Sequence, residues 1–178
     1  MTFDRRALFA LPALAALGAP LLIAPEAEAV AAQAGTARGS LCAPGEVVVF
    51  QCGIGRKTVS VCGSRTPAPY AQYRFGRPGN VELAYPNRSE GGLSYARAMY
   101  SGGGELQIRF RNGGLDYVVY SRTVRTGFGA DGRNNPQFSD GVTVRRGNRV
   151  ISNRACTTEI SGDGQPEDFM PEGTLLEL

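Results

Sequence analysis

Four side chains in this sequence offer covalent chemistry: Cys42, Cys52, Cys62 and Cys156. An even set favours two disulfide bonds, with three pairings open. Cys52 and Cys62 flank a hairpin expected around Gly53, Ile54, Gly55 and Arg56. Its two-residue turn registers put the two cysteines on opposite faces, which favours Cys42–Cys62 with Cys52–Cys156. The ten-residue spacings and the lack of histidine suit no zinc ribbon or finger. No metal or other cofactor is expected.

The remaining reactive residues give little purchase for catalysis. Without histidine there is no Ser-His or Cys-His nucleophile pair. Lys57, the single lysine, has Ser60 three residues on in the same expected strand, facing the other way. Glu82, Glu105, Asp116, Asp131 and Asp140 are candidates for a two-carboxylate hydrolase, but no spacing fixes a pair. Asp131, Asn134, Asn135 and Asp140 form an oxygen-rich loop that matches no calcium-loop pattern. Gly102-Gly103-Gly104 lacks the following lysine and helix of a phosphate loop. A non-enzymatic role is favoured. The residues best suited to a function are arginines and tyrosines, the types that carry interface energy when desolvated. Tyr100, Ser101, Arg109, Arg111, Tyr120 and Arg122 are the candidate partner-binding set.

The element that positions them is the stretch from Gly104 to Arg122. Leu106, Ile108 and Phe110 alternate with Glu105, Gln107, Arg109 and Arg111, the period of a strand with one buried face. Asn112-Gly113-Gly114 supplies a tight turn, and Leu115–Tyr120 is a β-branched and aromatic return strand. Both two-residue turn registers put Leu115, Tyr117 and Val119 on the face of Leu106, Ile108 and Phe110. Arg109, Arg111, Asp116, Val118 and Tyr120 then lie on the outer face.

Similar short runs fill the rest of the chain. Glu46–Gln51 pairs with Lys57–Val61, and Ala71–Phe75 with Asn80–Tyr85 across Gly76-Arg77-Pro78-Gly79. Leu93–Tyr100 precedes the central hairpin, Thr126–Asp140 reads as a long loop, and Val142–Arg145 and Val150–Asn153 flank Gly147-Asn148. The fold expected is all-β: a small, disulfide-bonded antiparallel barrel or sandwich of about 8–9 strands, connected as a meander.

Residues 1–29 read as a cleaved signal peptide. Arg5-Arg6 precedes an apolar run from Ala7 to Ile23, in a twin-arginine-like context, and Ala27-Glu28-Ala29 fits a small-x-small cleavage site. Residues 30–44 are expected to be a flexible lead-in, 45–158 the β domain and 159–178 an irregular acidic tail. Without Asp4, Arg5, Arg6, Glu26 and Glu28 the chain keeps 17 basic and 13 acidic residues, a net charge of +4. Six acids and no base lie from Glu159 onward, so residues 30–158 carry +10. That charge favours an acidic protein or an anionic envelope polymer as partner. Export, to the periplasm or beyond, disfavours nucleic acid. After cleavage no transmembrane segment is expected.

Gln72–Tyr85 (QYRFGRPGNVELAY), Val49–Cys62 and Tyr100–Tyr120 resemble a group of small, uncharacterised β-rich exported bacterial proteins, a likeness that implies fold and export but no activity. More distantly, the cysteine-bearing first hairpin and Tyr100-Ser101-Gly102 are similar to the periplasmic and membrane-bound inhibitors of c-type lysozyme. Those barrels insert a serine loop and a basic residue into the enzyme's acidic cleft. The resemblance implies Ser101 as the serine and Arg109, Arg111 or Arg122 as the basic partner. The inhibitors' Ser-Gly-x-x-Tyr pattern is broken here by Glu105, and no lipid-anchor cysteine directly follows the signal. Alongside this binding or inhibitor role stand two others: an envelope-associated structural protein held by its arginines, and a carboxylate-dependent hydrolase.

Overall fold

A computed structural model describes residues 39–87, 92–127, 130 and 135–178. The signal segment, most of the lead-in, Asp131 and Asn134 lie outside the described residues. Nine strands form two antiparallel sheets, each a meander in chain order. The first sheet holds β1 (Val47–Ile54), β2 (Lys57–Ser64), β3 (Tyr70–Arg77) and β4 (Asn80–Tyr85). The second holds β5 (Ser94–Tyr100), β6 (Gly103–Asn112), β7 (Leu115–Arg125), β8 (Pro136–Arg146) and β9 (Arg149–Ala155). Among the described residues no helix is long and apolar enough to cross a membrane.

The central hairpin forms as its alternation requires. Asn112 pairs with Leu115 and Phe110 with Tyr117, so the turn is Gly113-Gly114. Both glycines have positive φ, 57° and 75°, which side-chain-bearing residues adopt at a cost. Phe110 and Tyr117 stack at 4.7 Å between ring centroids, and Phe110 also meets Tyr73 and Tyr85 of the first sheet. This aromatic cluster joins Ile108, Val119 and Val142 to Val59, Val61 and Phe50 in one core between the sheets.

Sheet two is longer than its apolar pattern suggests. Pro136–Asp140, expected within a loop, are strand residues that pair with Ser121–Arg125 of the lengthened β7. They are exposed or half-buried, so no burial signal marks them. Ladder pairing extends the strand, and Pro136 occupies its first position, where no donor is missed.

Both disulfides join the expected partners, Cys42–Cys62 and Cys52–Cys156. The opposite faces of Cys52 and Cys62 follow from the β1–β2 register, which sets Cys52 against Val59 and Cys62 against Val48. Cys62 points to the outside of sheet one, where Leu41 and Cys42 cover it. The end of the expected flexible lead-in is thus pinned. The Leu41 N–H donates to buried Ser60, and Arg74 donates to the Leu41 carbonyl and to both carboxylate oxygens of Glu46. This ion pair keeps only 13% and 10% of its side-chain surface exposed. Burial would raise the Glu46 carboxyl, but Arg74 and the Ala43 N–H outweigh it and hold the group below its usual range.

A depressed carboxylate stabilises the fold above its unfolded pKa and releases that stability as pH falls through the folded value. Glu46→Gln is expected to cost about 3 kcal/mol at neutral pH. The difference from the parent should shrink below pH 4.5, the ordinary Glu value. Urea melts across pH check this, and a pH-independent difference would show that the charge of Glu46 does not contribute through Arg74.

The acidic tail is docked along its length. Ser161, Asp163 and Gly164 donate backbone hydrogen bonds to Gln51 and Val48 on the free edge of β1. A short 3-10 turn, Pro166–Asp168, then drives Phe169 and Met170 into the core. The Tyr95 N–H donates to the Pro171 carbonyl, and the Gly173 N–H to the Tyr95 carbonyl, on the free edge of β5. The tail therefore occupies part of one edge of each sheet, at Val48–Gln51 of β1 and at Tyr95 of β5, which shortens two templates for strand addition. Its link to β5, together with the Cys52–Cys156 bond beside β9, shows that β1 crosses sheet two from edge to edge.

Candidate binding surfaces

The six candidate residues separate into three environments. Tyr100 ends β5, Ser101 opens the following turn, and Arg122 lies on β7 opposite Glu105 of β6. The Tyr100 hydroxyl donates to Glu105 Oε2 at 2.8 Å, a bond that raises its pKa. The Arg122 Nε lies 3.6 Å from the same oxygen, and its guanidinium sits 6.0 Å from the Tyr100 ring. Gln107 Nε2 donates to Glu105 Oε1. Glu105 thus holds the tyrosine and arginine together at one end of sheet two. The carboxylate accepts two hydrogen bonds, from Tyr100 and Gln107, and stands beside the Arg122 guanidinium.

Arg109 and Tyr120 are engaged elsewhere. Arg109 donates to the Thr174 carbonyl at 2.7 Å, and Arg145 to that of Glu177. Buried Gln107 both donates to the Leu176 carbonyl and accepts from the Leu176 N–H. The last five residues thereby lie extended across the outer face of sheet two, so Val118 and Gln107 there are fully buried. The solvated face expected from alternation is covered, because local sequence cannot register a strap arriving from 32 to 69 residues away. Tyr120 is buried and donates to Asn153 Oδ1, and burial raises its phenol. Arg111 stands at the opposite end of the sheet, paired in register with Asp116.

The surface that sequence reading missed lies on the inner face of sheet two. Because β1 crosses the sheet, the ends of β5–β8 project beyond it. Met99 and Phe138 share the inward parity of Ile108 and Val119 yet are 85% and 68% exposed. Tyr100 and Arg122 lie on the other side of the same projecting end. The signal was present in the apolar types of Met99 and Phe138, but only the crossing of the sheets leaves them bare.

Comparison with known protein families, curated proteins and solved structures finds no match.

The carboxylates considered for hydrolysis occupy separate places. Glu82 pairs with Lys57 beside the first hairpin turn, Glu105 is held as above, and Asp116 adjoins the β6–β7 turn. The one cluster with metal-ligand atom types among the described residues is Cys42, Glu46 and Cys62. Its sulfurs are bonded to each other and its carboxylate to Arg74, which leaves no donor set for an ion.

Proposed function

We propose that the protein is an exported, non-catalytic binding module that engages an acidic partner through the projecting end of sheet two. The carrying observation is the composition of that end. Met99, Tyr100, Phe138 and Arg122 are the types enriched in interface cores, and a rigid two-sheet body presents them. Ser101 sits in the adjoining turn, and the resemblance to lysozyme inhibitors would make it the inserted serine. An enzyme with an acidic cleft, of the c-type lysozyme kind, is accordingly the partner class. The charge of +10 on residues 30–158 would steer such an encounter. Two disulfides fit an oxidising compartment, and with the twin-arginine-like leader they support a periplasmic or secreted location.

The test is titration of the protein into a c-type lysozyme, read by calorimetry and by turnover. Saturable inhibition is expected. Tyr100→Phe with Arg122→Gln should weaken it at least about tenfold, or ~1.4 kcal/mol, with folding retained in near-ultraviolet dichroism. Binding that disappears entirely by ~0.5 M salt would instead indicate diffuse charge attraction to an anionic polymer. Inhibition unaffected by the double substitution would remove the projecting end from the interface.

A further inference from the structure

Beyond this partner surface, the sandwich has a second opening, beneath the hairpin turns of sheet one. There the turn end of β1–β4 overlies β8 and β9. β9 is an edge strand, and the two side chains that it turns inward are Ser152 and Arg154. An apolar pair at those positions would close the seam. The facing side chains, Tyr73, Phe75, Leu83, Tyr117 and Val144, instead line a cleft of about 230 Å³. Tyr73 itself is buried deep at its base, where burial holds its phenol neutral far above the ordinary range. A second hollow of about 370 Å³ shares Ile54, Phe75 and Arg154 with the first and leads outward past Arg56 and Arg77.

The charge at the mouth is unbalanced. Lys57 is paired with Glu82 and lies over the Phe75 ring, 5.2 Å from its centroid. Arg56, Arg77 and Arg154 make no ion pair or side-chain hydrogen bond among the described residues. Three guanidiniums thus line the outlet of a mostly apolar trough. Alone, the trough would favour an alkyl or aromatic body, since removing such surface from water is favourable. The guanidiniums alone would favour carboxylate or phosphate, which they hold in a planar fork. A single ligand satisfies both.

We propose that this cleft binds a single-chain amphiphile with an anionic head. Its chain lies against Phe75, Leu83, Tyr117 and Val144, and its carboxylate or phosphate meets Arg56, Arg77 and Arg154. Such a head group belongs equally to a free fatty acid and to a lysophospholipid of the phosphatidate type. The shared chemistry is what the site reads.

The experiment uses the intact protein with dodecanoate, dodecyl phosphate, dodecanol and inorganic phosphate, each below its aggregation limit. Binding is read by calorimetry and by the ring resonances of Tyr73 and Tyr117. Both anionic amphiphiles are expected to bind at one site and to shift those rings. Arg77→Glu with Arg154→Glu should weaken them at least tenfold and leave weak dodecanol binding unchanged. Val144→Phe, which fills the trough from one wall, should weaken all three chains. Retained folding in each variant is verified by the near-ultraviolet dichroism of the tyrosines. Preference for dodecanoate would assign the site to free acids, and preference for dodecyl phosphate to phosphate-headed lipids; both support the proposal. Inorganic phosphate binding as tightly as dodecyl phosphate would overturn it, since the trough would then contribute nothing. So would dodecanol matching the anions, or an affinity that ignores the charge reversals.

Discussion

Replacing Cys52 and Cys156 together by serine is expected to lower the unfolding free energy by about 4–5 kcal/mol. The bond closes a loop whose ends are 104 residues apart in sequence, so it removes more disorder from the unfolded chain than any shorter link. The other bond spans 20 residues, and its loss should cost about 3 kcal/mol on the same chain-entropy reasoning. Native contacts point the same way. The long bond fixes the end of β9 beside β1, where the Thr157 N–H donates to the Gly53 carbonyl and the Thr158 hydroxyl accepts from the Gly53 N–H. Releasing it loosens the crossing of the two sheets as well as the chain entropy. Denaturant melts of the two double mutants provide the comparison. If the long bond costs no more than the short one, its role as the tie between sheets is refuted.

Phe169→Ala is expected to destabilise the protein by about 3–5 kcal/mol, although it sits only nine positions from the last residue. The ring is 5% exposed and lies flat against Gly63 of β2, where a Cβ would come within 2.7 Å of it. Arg65 covers the ring 5.1 Å away and pairs with the neighbouring Asp168. Removing the ring leaves a cavity that Gly63 cannot fill, at the point where the tail bridges the free edges of β1 and β5. Exposure of those edges should also raise aggregation. Leu175→Ala, which removes a side chain already 37% exposed, should cost under about 0.5 kcal/mol. Equal effects from the two substitutions would reduce the tail to a passive covering. A Gly63→Ala variant offers a converse check, because its new methyl must displace the ring.

The same residue shows where sequence reading stopped. Phe169 and Met170 lie between Pro166 and Pro171 in an acidic, glycine-bearing stretch with neither helical nor strand period. Composition therefore suggested an irregular acidic tail, either solvated or folded across the basic face. Irregular it is, but its hydrogen bonds go to strand edges more than 70 positions earlier. By contrast, the β6–β7 hairpin was legible in its inward and outward faces, while the choice between its two turn registers, and so the facing pairs, came from the structure. Alternation and a glycine turn act within a few residues, and a slip of one would have placed Phe110 in water. Strand parity likewise put Cys52 and Cys62 back to back and excluded one of three pairings; the structure chose between the remaining two.

The candidate surface was legible in part. Tyr100, Ser101 and Arg122 do stand together, because the β5–β6 turn and the Glu105–Arg122 register pair are local consequences of the hairpins. Arg109 is engaged by the returning C-terminus, and Tyr120, which lines one hollow with Arg122, spends its hydroxyl on Asn153 of β9; no local pattern announces either neighbour.

What the chain determined by itself was what shows a period of two: most of the strands, their inward and outward faces and the one cysteine pair that could not meet. The tertiary structure alone decided how one sheet lies across the other. That crossing leaves Met99 and Phe138 bare at one end and opens the arginine-rimmed cleft beneath the turns at another. The physical reason is range. Backbone pleat and turn geometry act over a few residues, whereas the angle between sheets and the path of the terminal strap follow from packing among side chains a hundred positions apart.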